Sequence, residues 1–231
     1  MTLSASALDK LFGDRLAADG SRVAENFASW YAGCDLVDAG GAPLVLFHGT
    51  SVWERRDRQL GDITAFNRRA SIEIVRRPAG LDAVGCWFSD NPARAQDYAG
   101  PNGAIYPVFA RMLNPWRVES SDKMVEVWVD YQSSEVTGPE ARALHKRNRL
   151  WGDPDRFVAG LIKEGYDGII IGRAVGSSGS TEFADQTAHI VFHANQVKSV
   201  TGNSGLFDAE SDDIADIHGW DAPSARERMR A

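Results

Sequence analysis

Residues 44–50 read Leu-Val-Leu-Phe-His-Gly-Thr, an apolar run that ends in a polar tip. A glycine-rich turn at 38–43 precedes this run, so Leu44–Phe47 is predicted to be a buried strand. Further along the chain, Val84–Phe88 predicts a second strand, and the Ser-Asp-Asn-Pro run at 89–92 predicts the cap of a following helix. These segments bring a His-Gly-Thr tip toward a strand and a helix that carry aromatic side chains.

The remaining apolar runs are short and unevenly spaced. They predict strands at Ala104–Leu113 and Ala188–Phe192, and a turn into a buried strand at Tyr166–Ile171. Helical periodicity marks residues 1–32 and most of 120–164. Because strands and helices do not alternate regularly, the order favours an α+β fold over a doubly wound one.

Length and composition set the domain organisation and exclude several classes of protein. The 231 residues suffice for one sizeable core. We predict a helical extension at 1–32, a core domain at 33–207, and an acidic, charged tail at 208–231 that is peripheral or mobile. The chain is 43% hydrophobic and 25% charged, which excludes collagen-like, coiled-coil and wholly disordered proteins. Its net charge of -7 disfavours a nucleic-acid partner.

Cysteine usage and hydropathy indicate the compartment. Cys34 and Cys86 have no framework or metal-ligand spacing, so each is expected to be a small buried residue in a reducing compartment, and no metal is expected. No secretory signal is visible, and no apolar run approaches the roughly 20 residues of a membrane helix. The prediction is a cytoplasmic protein, or one delivered into a target cell's cytoplasm, without a membrane partner.

Further segments accompany the two described first, and together they carry a resemblance to one family. These segments are Leu36–Asp38, Tyr106–Val108, Asn114-Pro115, Gly165–Ile169, Ile190–Phe192 and Asn195–Ser199. With His48-Gly49-Thr50, Trp87 and Tyr98, the chain resembles the ADP-ribosyltransferase superfamily over residues 27–207. The similarity is to the branch shared by diphtheria toxin and the poly(ADP-ribose) polymerases, in its bacterial and phage-associated members. The resemblance implies a split β-sheet core with peripheral helices, and NAD as the substrate.

The resemblance also implies a role for each matching residue. His48 is expected to bind the adenosine ribose, the Gly49 backbone to pair with the nicotinamide carboxamide, and Thr50 to support that amide. Tyr98 is expected to stack on the nicotinamide ring. Trp87 stands where the middle tyrosine of the family's His-Tyr-Glu signature belongs, and it keeps a flat apolar face while changing the polar group from O–H to N–H.

Two further positions belong to the expected NAD pocket. Phe88, next to Trp87, is expected to line it. Ala95 stands where several relatives carry a serine that bonds the carboxamide, so one contact is expected to be missing.

Position 188 departs from the family pattern. Ala188 stands where the catalytic glutamate opens the last core strand, and a methyl group cannot stabilise the positive charge that develops on the ribose. Three explanations remain open: an inactivated form with a replaced glutamate, a natural member that binds without chemistry, or a nearby acid such as Glu182 or Asp185 that takes over.

The glycine- and serine-rich loop before this strand carries Glu182 and Phe183, which are expected either to recognise a target or to lie in a disordered surface loop. The leading hypothesis is a mono-ADP-ribosyltransferase, a toxin or effector that modifies a macromolecule, with a protein target favoured over nucleic acid. The alternatives are a catalytically dead scaffold that binds NAD or a protein, and an NAD glycohydrolase toxin. The terminal regions could bind an immunity protein or a chaperone.

Overall fold

The computed structural model describes residues 3–51, 63–66, 80–134, 138–139, 143, 152–174 and 186–217. The expectations for Glu182, Phe183 and Asp185 lie outside these residues, as does the end of the chain from 218.

Five α-helices and seven strands lie within the described residues. The helices are α1 (Ala5–Phe12), α2 (Val23–Trp30), α3 (Pro92–Ala99), α4 (Ser121–Ser133) and α5 (Pro154–Lys163). The strands are β1 (Leu46–Thr50), β2 (Cys86–Ser89), β3 (Ala104–Ala110), β4 (Trp116–Val118), β5 (Gly168–Ala174), β6 (Gln186–Val191) and β7 (Val197–Ser199). The predicted α+β class is confirmed. No helix in the described part of the chain has the length and apolarity needed to cross a membrane.

The helices α3, α4 and α5 each begin where a short polar side chain accepts a hydrogen bond from a backbone N–H group. The Asn91 side chain accepts from the Ala93 N–H at 2.9 Å and thereby caps α3, whose first residue is Pro92. The Asp153 side chain caps α5 in the same way, 3.0 Å from the Arg156 N–H. Such caps satisfy donors that have no partner inside the helix, so capping side chains mark the start of these three helices.

The strands form one sheet in the order β4-β5-β6-β2-β1-β3-β7. β1 pairs with β3 at five positions, but it pairs with β2 at only one, Phe47 opposite Ser89. This single pair is the seam between two halves of the sheet, β4-β5-β6-β2 on one side and β1-β3-β7 on the other. The predicted strand at Leu44–Phe47 is observed at Leu46–Thr50, because pairing with β3 extends it through the His-Gly-Thr tip.

β3 ends earlier than predicted, at Ala110 rather than at Leu113. Beyond Ala110, the Met112 N–H donates to the Cys34 sulfur, and the Asn114 N–H donates to the Asp167 carboxylate at 3.0 Å. The backbone therefore leaves the ladder because side chains from other segments take its hydrogen bonds.

Each face of the sheet carries its own apolar core. The first core is formed by α1, α2 and residues of β1, β3, β6 and β7. The second core packs α4 and α5 against β5 and β6 through Trp128, Phe157, Ile169, Ile171 and Ile190. The sheet is therefore buried on both faces, which explains the continuous apolar runs in its strands.

The helices predicted as an N-terminal extension are integral to the first core. Phe27 in α2 is fully buried and stacks on Tyr31 at 5.0 Å between ring centroids. It also meets Phe109 of β3 at 4.8 Å and Phe207, near the end of the predicted core domain, at 5.0 Å. Residues 1–32 thus contribute aromatic side chains to the same core as the sheet.

Residues predicted to begin the C-terminal tail are also tied to the sheet. The Lys198 ammonium and the Asp216 carboxylate form an ion pair in which both side chains are fully buried. Lys198 also donates to the carbonyls of Ser211 at 2.9 Å and Asp213 at 3.1 Å, while Asn203 donates to Asp216 at 2.9 Å. The segment up to 217 is therefore packed, because a buried charge needs its partners in place.

Replacing Phe27 with alanine tests whether the N-terminal helices belong to the folding unit. We expect Phe27→Ala to lower the free energy of unfolding by about 3–5 kcal/mol, because a buried ring is lost and a cavity is left. Urea unfolding followed by circular dichroism measures this change. Leu16→Ala is the control; Leu16 is 63% exposed, so a change within about 0.5 kcal/mol is expected. Equal small effects for both variants would show that the extension folds separately.

Candidate active site

The candidate site lies at the seam, where β1 and β2 stop pairing. Past Phe47, the residues His48, Gly49 and Thr50 keep their ladder only with β3. On the other side, Trp87 and Phe88 keep theirs only with β6. Residues that the sequence assigned to one site therefore border one opening in the sheet.

His48 bridges the seam through its side chain. Its Nδ1 lies 2.8 Å from the Trp87 carbonyl oxygen, which can only accept, so Nδ1 carries a hydrogen and donates it. In the neutral ring, Nε2 is then an acceptor. The ring packs 5.0 Å from Phe66 and 5.6 Å from Phe88, measured between centroids. The tautomer and the orientation of His48 are thus set by the protein.

Gly49 is required by the close approach of α3. A Cβ placed on Gly49 would overlap the Ala95 carbonyl oxygen and lie 3.0 Å from the Ala99 nitrogen. A Cβ placed on Gly103 would likewise overlap the Ala99 carbonyl and lie only 2.5 Å from the Thr50 carbonyl oxygen. Two glycines therefore let the helix backbone lie directly on the strand backbone.

Trp87 borders the opening with its ring, and its indole N–H already has a hydrogen-bond partner. Its indole N–H donates to the Asp82 carbonyl at 3.0 Å, and its ring packs at the edge of the second core. The neighbouring Phe88 is 97% buried and points the other way, into the first core. Trp87 can thus present an aromatic face to a ligand, while Phe88 supports His48.

α3 places Tyr98 and Ala95 on different sides. Tyr98 is 48% exposed, so much of its ring is available for stacking, whereas Ala95 is buried against β1. Thr50 is also buried, at 5% exposure. Of the residues assigned to nicotinamide binding, Tyr98 is therefore the one with the most solvent-accessible surface.

Ala188 lies in β6 beside the site. It pairs with Ser89 of β2, and its side chain shares a sheet face with Trp87 because Trp87 pairs with Ile190. Ala188 is 3% exposed and belongs to the second core. The expected glutamate position is therefore adjacent to the site, but its methyl group serves packing.

Asp90 lies next to Thr187, the residue before position 188, and Arg94 is close enough to act on its charge; neither belongs to the predicted site residues. Asp90 follows Ser89 and adjoins Thr187, whose backbone N–H bonds the Asp90 carboxyl group. Partial burial raises the pKa of Asp90, and the Arg94 guanidinium opposes that rise. Arg94 itself is only 5% exposed. The signal that could have found them is the strand register, which a single sequence does not supply.

His189, next to Ala188, is a buried titratable group whose side chain lies on the sheet face opposite that of Ala188. Its Nδ1 has no hydrogen-bond partner among the described residues, and the residue is 2% exposed. Burial and, to a smaller extent, the positive charge of Arg117 lower the pKa of His189 from 6.5 to about 4. His189 is therefore neutral in the native protein near pH 7.

The depressed pKa of His189 predicts a pH dependence of stability. Between pH 6.5 and about 4 the unfolded chain binds the proton and the native protein does not, so stability falls as pH falls through this window. This fall in pH lowers the free energy of unfolding by roughly 3 kcal/mol through His189. Urea unfolding at several pH values should show a shallower slope for His189→Phe than for the unsubstituted protein. The exposed His193 gives the control, His193→Asn; parallel profiles for His189→Phe would contradict the assignment.

A family model described as "ADP-Ribosyltransferase in polyvalent proteins" matches residues 38–207, which is most of the chain and includes all seven strands. No curated protein and no solved structure matches the chain significantly. Among the described residues, no three His, Cys, Asp or Glu side chains cluster as a metal site requires. The fold and the match agree, and the chain belongs to the family of ADP-ribosyltransferase domains found in polyvalent proteins.

Proposed function

We propose that this chain binds NAD at the seam and is built to transfer its ADP-ribose to a macromolecular acceptor. The observation that carries the proposal is the hydrogen bond from His48 Nδ1 to the Trp87 carbonyl. This bond joins the two motifs across the opening between β1 and β2. It also fixes the orientation of the His48 ring, which is the ring we propose to contact the ribose.

The nicotinamide end of NAD would contact residues of β1 and β2 on the sheet face opposite His48. Gly49 offers backbone N–H and C=O groups, the complement of a carboxamide. Trp87 and Tyr98 offer aromatic faces, and such faces stabilise a stacked ring by about 0.5–1.5 kcal/mol beyond the area they bury. Since the Trp87 N–H already bonds Asp82, Trp87 contributes shape rather than a hydrogen bond.

Transfer of ADP-ribose requires a site that orients NAD and stabilises the positive charge that develops on the ribose. Cleavage of the bond between ribose and nicotinamide leaves positive charge on the ribose, as in glycoside hydrolysis. Fixed groups that hold both ends of the substrate lower the barrier by restricting its motion. A carboxylate near the ribose lowers it further by electrostatic stabilisation.

The acceptor we propose is a protein, and the biological role a toxin or effector activity. The net charge of -7 supports a protein over a nucleic acid, because a phosphate backbone would be repelled. Glu182 and Phe183, which precede β6 in the sequence, remain the proposed contacts for this target.

A second candidate function is NAD or protein binding without catalysis. One observation favours it: Ala188 is buried in the second core and offers no charge to the ribose. The two candidate functions depend on whether a carboxylate is needed at position 188, so substitutions at that position distinguish them.

Ala188→Glu is the first test. We expect it to raise nicotinamide release from NAD by about 100-fold, because a carboxylate then faces the developing cation. Ala188→Gln is the matched control, since it has the same size without the charge, and it should give no increase. Nicotinamide is quantified by chromatography, and labelled protein by mass spectrometry after incubation with isotopically labelled NAD and cell lysate.

The outcomes of this test assign the function. Labelled protein supports transfer, and free ADP-ribose without labelled protein supports a glycohydrolase. If the glutamate variant is folded and binds NAD but releases no nicotinamide, the binding-only candidate is correct. Because position 188 is buried, the folding of each variant is checked by thermal unfolding.

Tyr98→Ala tests the stacking role. We expect NAD affinity to fall by about 1 kcal/mol, which is roughly five-fold, because the aromatic face is lost. Isothermal titration calorimetry measures the dissociation constant. Tyr98→Phe keeps the face and should bind within about two-fold of the unsubstituted protein. An unchanged affinity for a folded Tyr98→Ala variant would remove Tyr98 from the site.

A further inference from the structure

Phe66 packs on His48 from the segment 63–66, which the structure describes between β1 and β2. Phe66 is only 5% exposed. The ring centroids of Phe66 and His48 lie 5.0 Å apart at 73°, and those of Phe66 and Phe88 lie 5.1 Å apart at 71°. Because His48 also lies 5.6 Å from Phe88, each of the three rings contacts the other two. Edge-to-face contacts have a preferred geometry, so this cluster favours one orientation of the imidazole.

The hydrogen bond to Trp87 and the ring contacts constrain His48 in different ways. The bond sets the direction in which Nδ1 points. The plane of the ring is softer, because the last side-chain torsion of a histidine has a broad energy minimum, and contact with other rings limits it. Phe88 is part of the ladder between β2 and β6, whereas Phe66 lies outside the strands. Phe66 is therefore the contact that can be changed without altering a strand.

The backbone of the segment 63–66 is tied to the strand that pairs with β1. The Ile63 N–H donates to the Tyr106 hydroxyl, with 3.4 Å between nitrogen and oxygen. Tyr106 lies directly opposite His48 in the ladder of β1 and β3, so the two side chains share a sheet face. The Tyr106 ring is also 6.3 Å from the Phe66 ring. Phe66 and His48 therefore rest on the same pair of strands.

A second tie comes from the last part of the described chain. The Ile214 N–H donates to the Thr64 carbonyl at 2.8 Å, and the Ser199 N–H of β7 donates to the Ile214 carbonyl at 2.8 Å. Ile214 is itself buried in the first core. The segment that carries Phe66 is thus attached to β3 and, through Ile214, to β7.

We propose that Phe66 is a positioning residue of the NAD site, which holds the His48 ring in the orientation that contacts the substrate ribose. This inference rests on the proposed function, which assigns that contact to His48. Phe66 has little exposed surface to offer a ligand, so its influence on NAD passes through His48. The effect is on binding, since a ring that is free to rock has to lose that freedom when NAD binds.

Phe66→Ala tests the proposal against a matched control. Phe12→Ala removes another ring of the first core, which is 6% exposed and whose ring contacts in the described chain are with Phe27, Phe109 and Phe207. We expect Phe66→Ala to raise the NAD dissociation constant about five-fold and Phe12→Ala to leave it within about two-fold. Isothermal titration calorimetry on the full chain measures both. Phe66→Leu, which keeps most of the apolar volume, should raise the constant about three-fold and replaces the alanine variant if that variant does not fold.

The ring nitrogens of His48 give a readout that needs no NAD. Their nitrogen NMR shifts distinguish a protonated from an unprotonated nitrogen, and the signals are assigned by their loss in His48→Gln. At a pH where histidine is neutral, the unsubstituted chain should show one tautomer, with the hydrogen on Nδ1. In Phe66→Ala both shifts should move towards their mean, because the ring then leaves the Trp87 carbonyl part of the time. Phe12→Ala should match the unsubstituted chain.

These two measurements distinguish a failure of the inference from a failure of the proposed function. A folded Phe66→Ala variant with unchanged NAD affinity overturns the inference while leaving the proposed function intact. A loss of affinity without any change in the His48 shifts also overturns it, because the effect of Phe66 would then not pass through His48. If the unsubstituted chain does not bind NAD, the proposed function fails, and the role of Phe66 in NAD binding fails with it.

Discussion

The contact of α3 with β1 at Gly49 is the constraint on which the site depends. Because Gly49 has no side chain, the Ala95 carbonyl can lie directly against the strand, and α3 is held at a fixed distance from the sheet. Tyr98 then stays at the surface beside the seam. Any side chain at Gly49 would push the helix away and separate the aromatic residue from the strand tip. The absence of a Cβ at Gly49 thus sets the spacing between α3 and β1.

The site combines rigid and exposed parts. His48 is fixed by a hydrogen bond and two ring contacts, and Trp87 is fixed by its own N–H. Tyr98, by contrast, is exposed. This division suits an enzyme that must orient one substrate through fixed groups and still admit a second, larger one from solvent.

The sequence predicted the α+β class, most of the strands and the family, because these depend on local pattern and on motifs with fixed spacing. The boundaries of β1 and β3 were less accurate, since pairing and side-chain hydrogen bonds from distant segments decide them. The proximity of Asp90 to Thr187 could not be predicted, because it depends on how β2 and β6 lie side by side. The packing of Phe27 on Phe207 was also inaccessible, since no periodicity links residues so far apart.

The buried pair of Lys198 and Asp216 has a practical consequence for anyone who expresses this domain alone. The family match ends at 207, and a fragment cut there would keep Lys198 in the sheet while discarding its counter-charge. The lysine would then either stay buried without a counter-charge or become solvated by detachment of β7 from the sheet. Loss of one partner of a buried ion pair lowers the free energy of unfolding by about 3–5 kcal/mol. The boundary drawn by sequence similarity is therefore too short for a soluble fragment, and Asp216 marks the minimal end for any expression design.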